Sequence, residues 1–275
     1  MVRPRFALPA GILLGMIISL AARADSLPWF DHVVIVMEEN HSLSQVAESP
    51  YLNSLASRGT LFTQSFAVAH PSLPNYLALF SGSTHGIGND GRYDLSGPNL
   101  ASSLIRAGLT FAGYSEDLPA VGFRGDSHRG YVRKHAPWAS FTNVPDAVNR
   151  PLTDFPAGDF TALPTVSFVI PTLSNDMHDG SVAQGDQWLR AHVEDYARWA
   201  VSHNSLLIVT FDEGPVFTAP ADARIATIMV GAHVRIGTSG QRITHYSILR
   251  TLEDVYGLPP IGEDQSASTI TGIWN

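Results

Sequence analysis

Three apolar runs in this sequence end on clusters of hard oxygen donors. His32-Val33-Val34-Ile35-Val36-Met37 runs into Glu38-Glu39-Asn40-His41, Thr110–Tyr114 into Ser115-Glu116-Asp117, and Leu206–Phe211 into Asp212-Glu213-Gly214. Carboxylate and amide oxygens brought together suit a divalent cation. A single polar strand end needs no such explanation, because strand ends are exposed. Three of them on one sheet edge favour a site. A potential nucleophile follows in His70-Pro71-Ser72-Leu73-Pro74-Asn75-Tyr76. Ser72 falls near a helix start, where free N–H groups and the helix dipole favour an anion. Such a serine is either a plain N-cap or a nucleophile activated by a neighbouring metal. The chain carries no G-x-S-x-G elbow, which argues against an ordinary serine hydrolase. Two further loops concentrate polar groups. In Asn175-Asp176-Met177-His178-Asp179, His178 could ligate a metal, donate to phosphate or protonate a leaving group. Lys134-His135-Ala136-Pro137-Trp138 reads equally as an anion-holding segment and as a basic surface turn. His245 reads as a structural cap or packing residue.

These groups need a scaffold, and hydrophobic period and punctuation give one. Strands are predicted at 32–37, 60–68, 110–114, 165–170, 206–211 and 225–230. Helices are predicted at 51–58, 73–80, 99–107, 184–202 and 246–256, several closed by glycine. Alternating strands and helices predict an α/β sandwich with a mostly parallel sheet. In such sheets ligands bind beyond the carboxyl ends of the strands, where the three acidic clusters fall. Residues 86–98, 124–130 and 151–164 read as loops. No linker or repeat divides the chain.

Composition sets limits on this reading. The 275 residues carry a formal charge of −8, 44% hydrophobic content and no cysteine. Disulfides, thiolate metal sites and a cysteine nucleophile are therefore excluded. The acidic balance argues against nucleic acid as a partner. Arg3 and Arg5, the apolar stretch Phe6–Ala21 and Ala22-Arg23-Ala24 have the layout of a secretory signal peptide over residues 1–24. Removing its three arginines would take the charge from −8 to −11. No second stretch is apolar enough to span a membrane.

The stretches VVIVMEENHS, SFAVAHPSLPNYLALFSGS, GYSEDLP, YVRKHAPWASF, VSFVIPTLSNDMHDGS, GDQWL, LLIVTFDEG and THYSILRTLEDVYGL lie in order between residues 33 and 258. Together they resemble the phosphoesterase family of secreted acid phosphatases and bacterial phospholipases C, within the alkaline phosphatase-like superfamily. The compact length most resembles the small acid phosphatases, including those acting on phosphatidylinositol 3-phosphate. The resemblance implies a three-layer α/β/α sandwich, with residues 25–275 as a single catalytic domain. It implies one divalent metal ion held by Glu39, Asn40, Ser72, Asp212 and Glu213. Ser72 would be the nucleophile and become transiently phosphorylated, with His178 as its catalytic partner. Asn75, His135, Asp176 and Glu116 would bind substrate. The implied activity is a secreted or periplasmic phosphomonoesterase, whose substrates extend to phosphoinositides at a membrane surface. It has no nucleic acid partner and no membrane span after signal cleavage. Protonated His135 or His178 would give a neutral to acidic optimum. Two alternatives share the same core motifs: a phospholipase C, and a non-catalytic phosphate- or headgroup-binding protein. In one departure from the family pattern, Ala223 and Ala226 stand where relatives often carry Asn and Pro.

Overall fold

A computed structural model of the chain describes Met1, residues 27–215 and residues 223–275. Apart from Met1, the predicted signal segment lies outside the described residues. Twelve strands and five α-helices are present among the described residues. The strands are β1 (His32–Glu38), β2 (Thr60–Phe62), β3 (Ser65–Phe66), β4 (Phe111–Ser115), β5 (Ser127–His128), β6 (Tyr131–Val132), β7 (Asn149–Pro151), β8 (Val166–Ile170), β9 (Ser205–Phe211), β10 (Thr227–Gly231), β11 (Gly237–Ser239) and β12 (Ile243–Thr244). The helices are α1 (Pro50–Ala56), α2 (Ser72–Ser81), α3 (Leu100–Arg106), α4 (Val182–Ser202) and α5 (His245–Tyr256).

An eight-stranded sheet in the order β11-β2-β10-β9-β1-β8-β4-β7 forms the centre. β1 pairs in parallel with β8 and β9, and β4 pairs in parallel with β8 and β7. β10 is antiparallel to both its neighbours. The mostly parallel α/β architecture predicted from sequence is therefore present. Strand alternation sorts β1 into two cores. Val33, Ile35 and Met37 pack with α2, α3 and α5, whereas Val34 and Val36 pack with α1 and α4. Helices thus cover both faces, which explains why the central strands read as continuous apolar runs.

Three local differences from the sequence reading have physical causes. The predicted strand 60–68 is two short strands, β2 and β3, which join different sheets. α4 starts at Val182, earlier than predicted, because Ser181 caps it by accepting from the Gln184 N–H. The predicted loop 124–130 contains β5, which pairs with β6 across a turn at Arg129-Gly130. β4 places Gly113 against the indole of Trp138, where an added Cβ would lie 2.1 Å from ring carbons. That contact and the Trp138 Nε1–H bond to Asn149 Oδ1 (2.7 Å) fix the segment that follows His135.

Candidate active site

α2 begins on Ser72 itself, after a cis His70–Pro71 peptide bond. Ser72 is therefore the first helical residue and Pro71 holds the cap position. The Ser72 hydroxyl donates to Glu39 Oε2 at 2.9 Å. One turn on, the Tyr76 hydroxyl donates to Glu39 Oε1 at 2.5 Å. Residues four apart share a helix face, so one carboxylate at the end of β1 receives both hydroxyls. Asn75 ties the approach to the helix. Its Oδ1 accepts from the Val68 and Ala69 N–H groups, both at 3.0 Å. Its Nδ2 donates to Ala69 O at 2.8 Å and reaches Glu213 Oε2 at 3.3 Å.

β9 lies beside β1, so Asp212 and Glu213 emerge next to Glu39. Asp212 Oδ1 accepts from the main-chain N–H groups of Asn40 (3.0 Å) and Glu213 (2.6 Å). Asn40 adopts φ 54°, a left-handed conformation that asparagine tolerates, and this turn aims its N–H at Asp212. His245, the first residue of α5, donates from Nε2 to the Asp212 carbonyl at 2.6 Å and so fixes the strand end. His70 Nδ1 lies 2.6 Å from Glu213 Oε2.

The third wall comes from two loops. His135 sits fully buried between Glu39 Oε1 (3.1 Å from Nε2) and Asp176 Oδ2 (3.2 Å from Nδ1). Its ring stacks on Tyr76 at 4.9 Å between centroids. Arg133 braces the turn by donating to the Ala139 carbonyl (2.7 Å) and Asp94 (2.9 Å). The Asp176 carbonyl accepts from the Glu39 N–H at 2.8 Å, and its Oδ1 accepts from the His178 N–H at 2.9 Å. His178 stands at the rim, with its ring 6.2 Å from His135 and its Nδ1 2.7 Å from Asp179 Oδ1. Lys134 donates to Asp90 Oδ2 at 2.8 Å, while Asp90 Oδ1 accepts the Leu73 N–H of α2 at 3.0 Å.

Burial of so many acids in one place raises their pKa values. Burial, then the charges of Asp212 and Asp176, hold the Glu39 carboxyl well above the ordinary carboxylate range. Burial pushes Asp176 up to about 7 and Asp212 up to about 6. Glu213 rises to about 8 through burial and the neighbouring Asp212 charge. Burial, aided by the Lys134 charge, holds His135 well below the usual histidine range. Burial also opposes the Lys134 ammonium, but the Asp90 carboxylate more than offsets it and raises its pKa. Burial thus disfavours a charge on His135, while Asp90 favours one on Lys134.

The residues fit a divalent cation. Glu39, His135 and Asp176 each offer one ligand atom within 4.8 Å of the others. Asp176 Oδ2 and Asp212 Oδ2 are buried with no hydrogen-bond partner. Unpartnered buried carboxylate oxygens are costly unless a cation or proton joins them. Of the five metal ligands implied by the resemblance, Glu39, Ser72 and Asp212 converge. Asn40 enters through its main-chain N–H, and Glu213 faces His70 and Asn75. Glu116 braces a loop, accepting from Thr172 N (2.9 Å) and Asn175 Nδ2 (2.9 Å). Ala226 is buried in the α1/α4 core. Ala223 lines the same surface pocket as His70 and Gly214. Sequence reasoning passed over Tyr76, Asp90 and His70. Tyr76 carried a usable signal, its four-residue spacing from Ser72. Asp90 is brought in only by tertiary folding.

With this geometry established, comparison with known proteins defines the class. The fold is similar to a protein of the alkaline phosphatase superfamily from Vibrio parahaemolyticus (TM-score 0.61, 13% identity, 90% of this chain and 72% of that one). It is also similar to a lipoteichoic acid synthase from Listeria monocytogenes (TM-score 0.61, 11% identity, 90% and 74%). The chain therefore shares its fold with a protein of the alkaline phosphatase superfamily. The Phosphoesterase family matches residues 44–259, and the chain belongs to that family of phosphoric ester hydrolases. The phosphatidylinositol-3-phosphatase of Mycobacterium tuberculosis is 48% identical over 267 residues, covering 95% of this chain and 88% of that protein. The phosphate-repressible acid phosphatase of Penicillium chrysogenum is 31% identical over 270 residues, covering 88% and 65%. The family resemblance read from the motifs and the α/β fold expected from it are both present.

Proposed function

We propose that this chain is an exported, divalent-cation-dependent phosphomonoesterase that works through a phosphoserine at Ser72, with phosphatidylinositol 3-phosphate among its substrates. The observation that carries this reading is the Ser72 hydroxyl at the first turn of α2, hydrogen-bonded to the fully buried Glu39 inside a cluster of acids with unpartnered oxygens. Similarity to the mycobacterial enzyme supports the substrate. The arginine-flanked apolar leader supports export.

The residues divide the work. Glu39, His135, Asp176 and Asp212 would hold the cation, with Glu213 beside them. When bound, the cation supplies positive charge against the phosphate oxygens and lowers the cost of ionising a nearby hydroxyl. Ser72 Oγ forms a bond to phosphorus as the bond to the leaving oxygen breaks. The serine proton leaves along its hydrogen bond to Glu39 Oε2. Tyr76 holds Glu39 Oε1, so the acceptor oxygen stays aimed at Ser72. Lys134 provides the side-chain charge that meets the substrate dianion, and Asn75 steadies the loop entering α2. His178 at the rim gives a proton to the departing alcohol and takes one back from the water that attacks next, while Glu39 hands its proton back to Ser72 as the serine leaves phosphorus. Water then displaces the serine from phosphorus, releasing inorganic phosphate. Most of the rate enhancement is electrostatic, because the transferring group carries its charge on peripheral oxygens.

The test is a panel of p-nitrophenyl phosphate, phosphatidylinositol 3-phosphate and phosphatidylcholine, each with and without chelator. Phosphate release from the first two, lost on chelation and restored by a divalent cation, is expected. Release of diacylglycerol from phosphatidylcholine would instead indicate a phospholipase C. Binding of phosphate without turnover of any ester would indicate a non-catalytic protein.

A further inference from the structure

The ammonium beside the acid cluster is itself held by a carboxylate. Lys134 Nζ donates to Asp90 Oδ2 at 2.8 Å, and Asp90 Oδ1 accepts the Leu73 N–H at 3.0 Å. Leu73 follows Ser72 directly in the first turn of α2. One carboxylate therefore ties the ammonium to the residue beside the serine. Burial raises the Asp90 pKa, but the hydrogen bonds from Lys134 and Leu73 outweigh it and lower it, which keeps the carboxylate charged. Burial also raises the carboxyl pKa values of Glu39, Asp176 and Glu213, and the Lys134 charge works against that rise in all three. From its tethered position the ammonium is thus within electrostatic reach of the cluster.

Asp90 is pinned in turn. Asn89 Oδ1 accepts the Gly91 N–H and the Tyr93 hydroxyl, both at 2.8 Å, which closes a turn around residue 90. Arg92 pairs with Asp126 at 2.9 Å. Arg133 Nη2 donates to the Tyr93 carbonyl (3.2 Å) and to Asp94 Oδ1 (2.9 Å), and the Leu95 N–H donates to the Ser140 carbonyl at 2.6 Å. Residues 89–95 are thus stitched to 126–140, the stretch that carries Lys134 and the buried His135. An isolated exposed ion pair is worth little, because it must order a long flexible lysine chain. Here the acceptor is fixed by its own neighbours, and the lysine side chain is only 17% exposed. The lysine is therefore ordered on folding and not on binding an anion. An asparagine at position 90 could not make the same bridge. It has one acceptor oxygen, so its amide nitrogen would face either the ammonium or the Leu73 N–H, donor against donor.

Resting on the phosphatase reading above, we propose that Asp90 is a positioning residue that acts through Lys134, holding the ammonium in fixed relation to Ser72 so that the substrate dianion meets it already aimed. Asp90 carries the wrong sign to bind the dianion itself. Its charge opposes binding while its geometry favours it, so the two effects have opposite signs and kinetics can separate them.

The test measures turnover of p-nitrophenyl phosphate, with a divalent cation, by wild type, Asp90→Asn, Lys134→Met and the double variant. Asp90→Asn is expected to lower kcat/KM by about fivefold, the scale of ordering one freed lysine side chain on binding, with the loss carried by KM. The double variant is expected to match Lys134→Met within about twofold, because the two residues act as one unit. A purely structural role for Asp90 would instead add its loss to that of Lys134→Met, and that outcome overturns the proposal. A loss confined to kcat also overturns it. So does an unchanged or lower KM in Asp90→Asn, which would mean that Asp90 merely competes with the dianion. If wild type turns over no ester, the phosphatase reading fails. The bridge is then judged by calorimetric binding of inorganic phosphate in the presence of a divalent cation, expected to be about fivefold weaker in Asp90→Asn. Binding that is absent in wild type, or equal or tighter in Asp90→Asn, overturns it.

Discussion

Two groups of buried acids in this molecule invite comparison. One is the cluster of Glu39, Asp176, Asp212 and Glu213 at the carboxyl edge of the sheet. The other is Glu253 and Asp264, both fully buried where α5 meets the C-terminal segment. Burial raises carboxyl pKa values in both places, Glu253 up to about 10 with its Asp264 neighbour contributing. Both contain oxygens without a hydrogen-bond partner. They differ in what else converges. The first cluster gathers a serine hydroxyl, a tyrosine, an imidazole and an ammonium. The second is a carboxyl pair that one proton can satisfy. Perturbed acids alone do not make a site. A nucleophile, a base and a charge for the substrate must meet the same acids.

Substitutions should separate the two groups sharply. Ser72→Ala is expected to lower kcat on p-nitrophenyl phosphate by at least ~10³-fold, the scale of removing a covalent nucleophile. Asp212→Asn is expected to cost on the order of 10²-fold, as removal of a charged group that stabilises the transition state does. It should also remove most of the rise in Tm on adding a divalent cation. Lys134→Met is expected to cost roughly 10-fold, mainly in KM, because it removes a charge without touching the nucleophile. Glu253→Gln should leave kcat within about twofold, since a residue outside the machinery acts only through stability. A large loss of kcat there would erase the distinction between the two groups.

The pH dependence follows from the same shifts. Asp212, Asp176 and Glu213 have folded-state pKa values of about 6, 7 and 8, above their unfolded values. The folded protein without cation therefore binds protons more tightly than the unfolded chain. Its stability is fullest below about pH 4 with respect to these groups and declines as pH rises through 6 to 8. A cation needs the deprotonated carboxylates, so its effect runs the other way. The difference in Tm between cation-loaded and chelated protein should grow from pH 5 to pH 8.5 by on the order of 5 °C. Calorimetry at several pH values checks this, and a constant difference would contradict it. The Glu253 contribution is lost as pH rises towards 10, so Glu253→Gln should narrow the fall in wild-type Tm over that range.

Much of this arrangement was legible in the sequence. The apolar runs ending in Glu38-Glu39 and Asp212-Glu213 mark both the strands and the edge where the acids gather, because a parallel sheet covered on both faces leaves a simple signature. Ser72 was legible as a helix start, although it is the first helical residue and not the cap. Glu38 and Glu39 were read as one cluster, yet the period-two alternation of β1 sends Glu38 into the α1/α4 side. His135 read as a substrate contact, whereas the fold buries it between two acids. The pairing of Asp90 with Lys134 was not legible, since 44 residues separate them and only the folded loops bring them together.

The central claim is that Ser72 carries the phosphoryl group. Acid quenching of the enzyme during turnover of p-nitrophenyl phosphate with a divalent cation, followed by peptide mass spectrometry, tests it directly. The account expects phosphate on the peptide containing Ser72 in wild type and none in Ser72→Ala. Phosphate on a peptide that lacks Ser72, or full turnover with no phosphorylated peptide at any quench time, would contradict it.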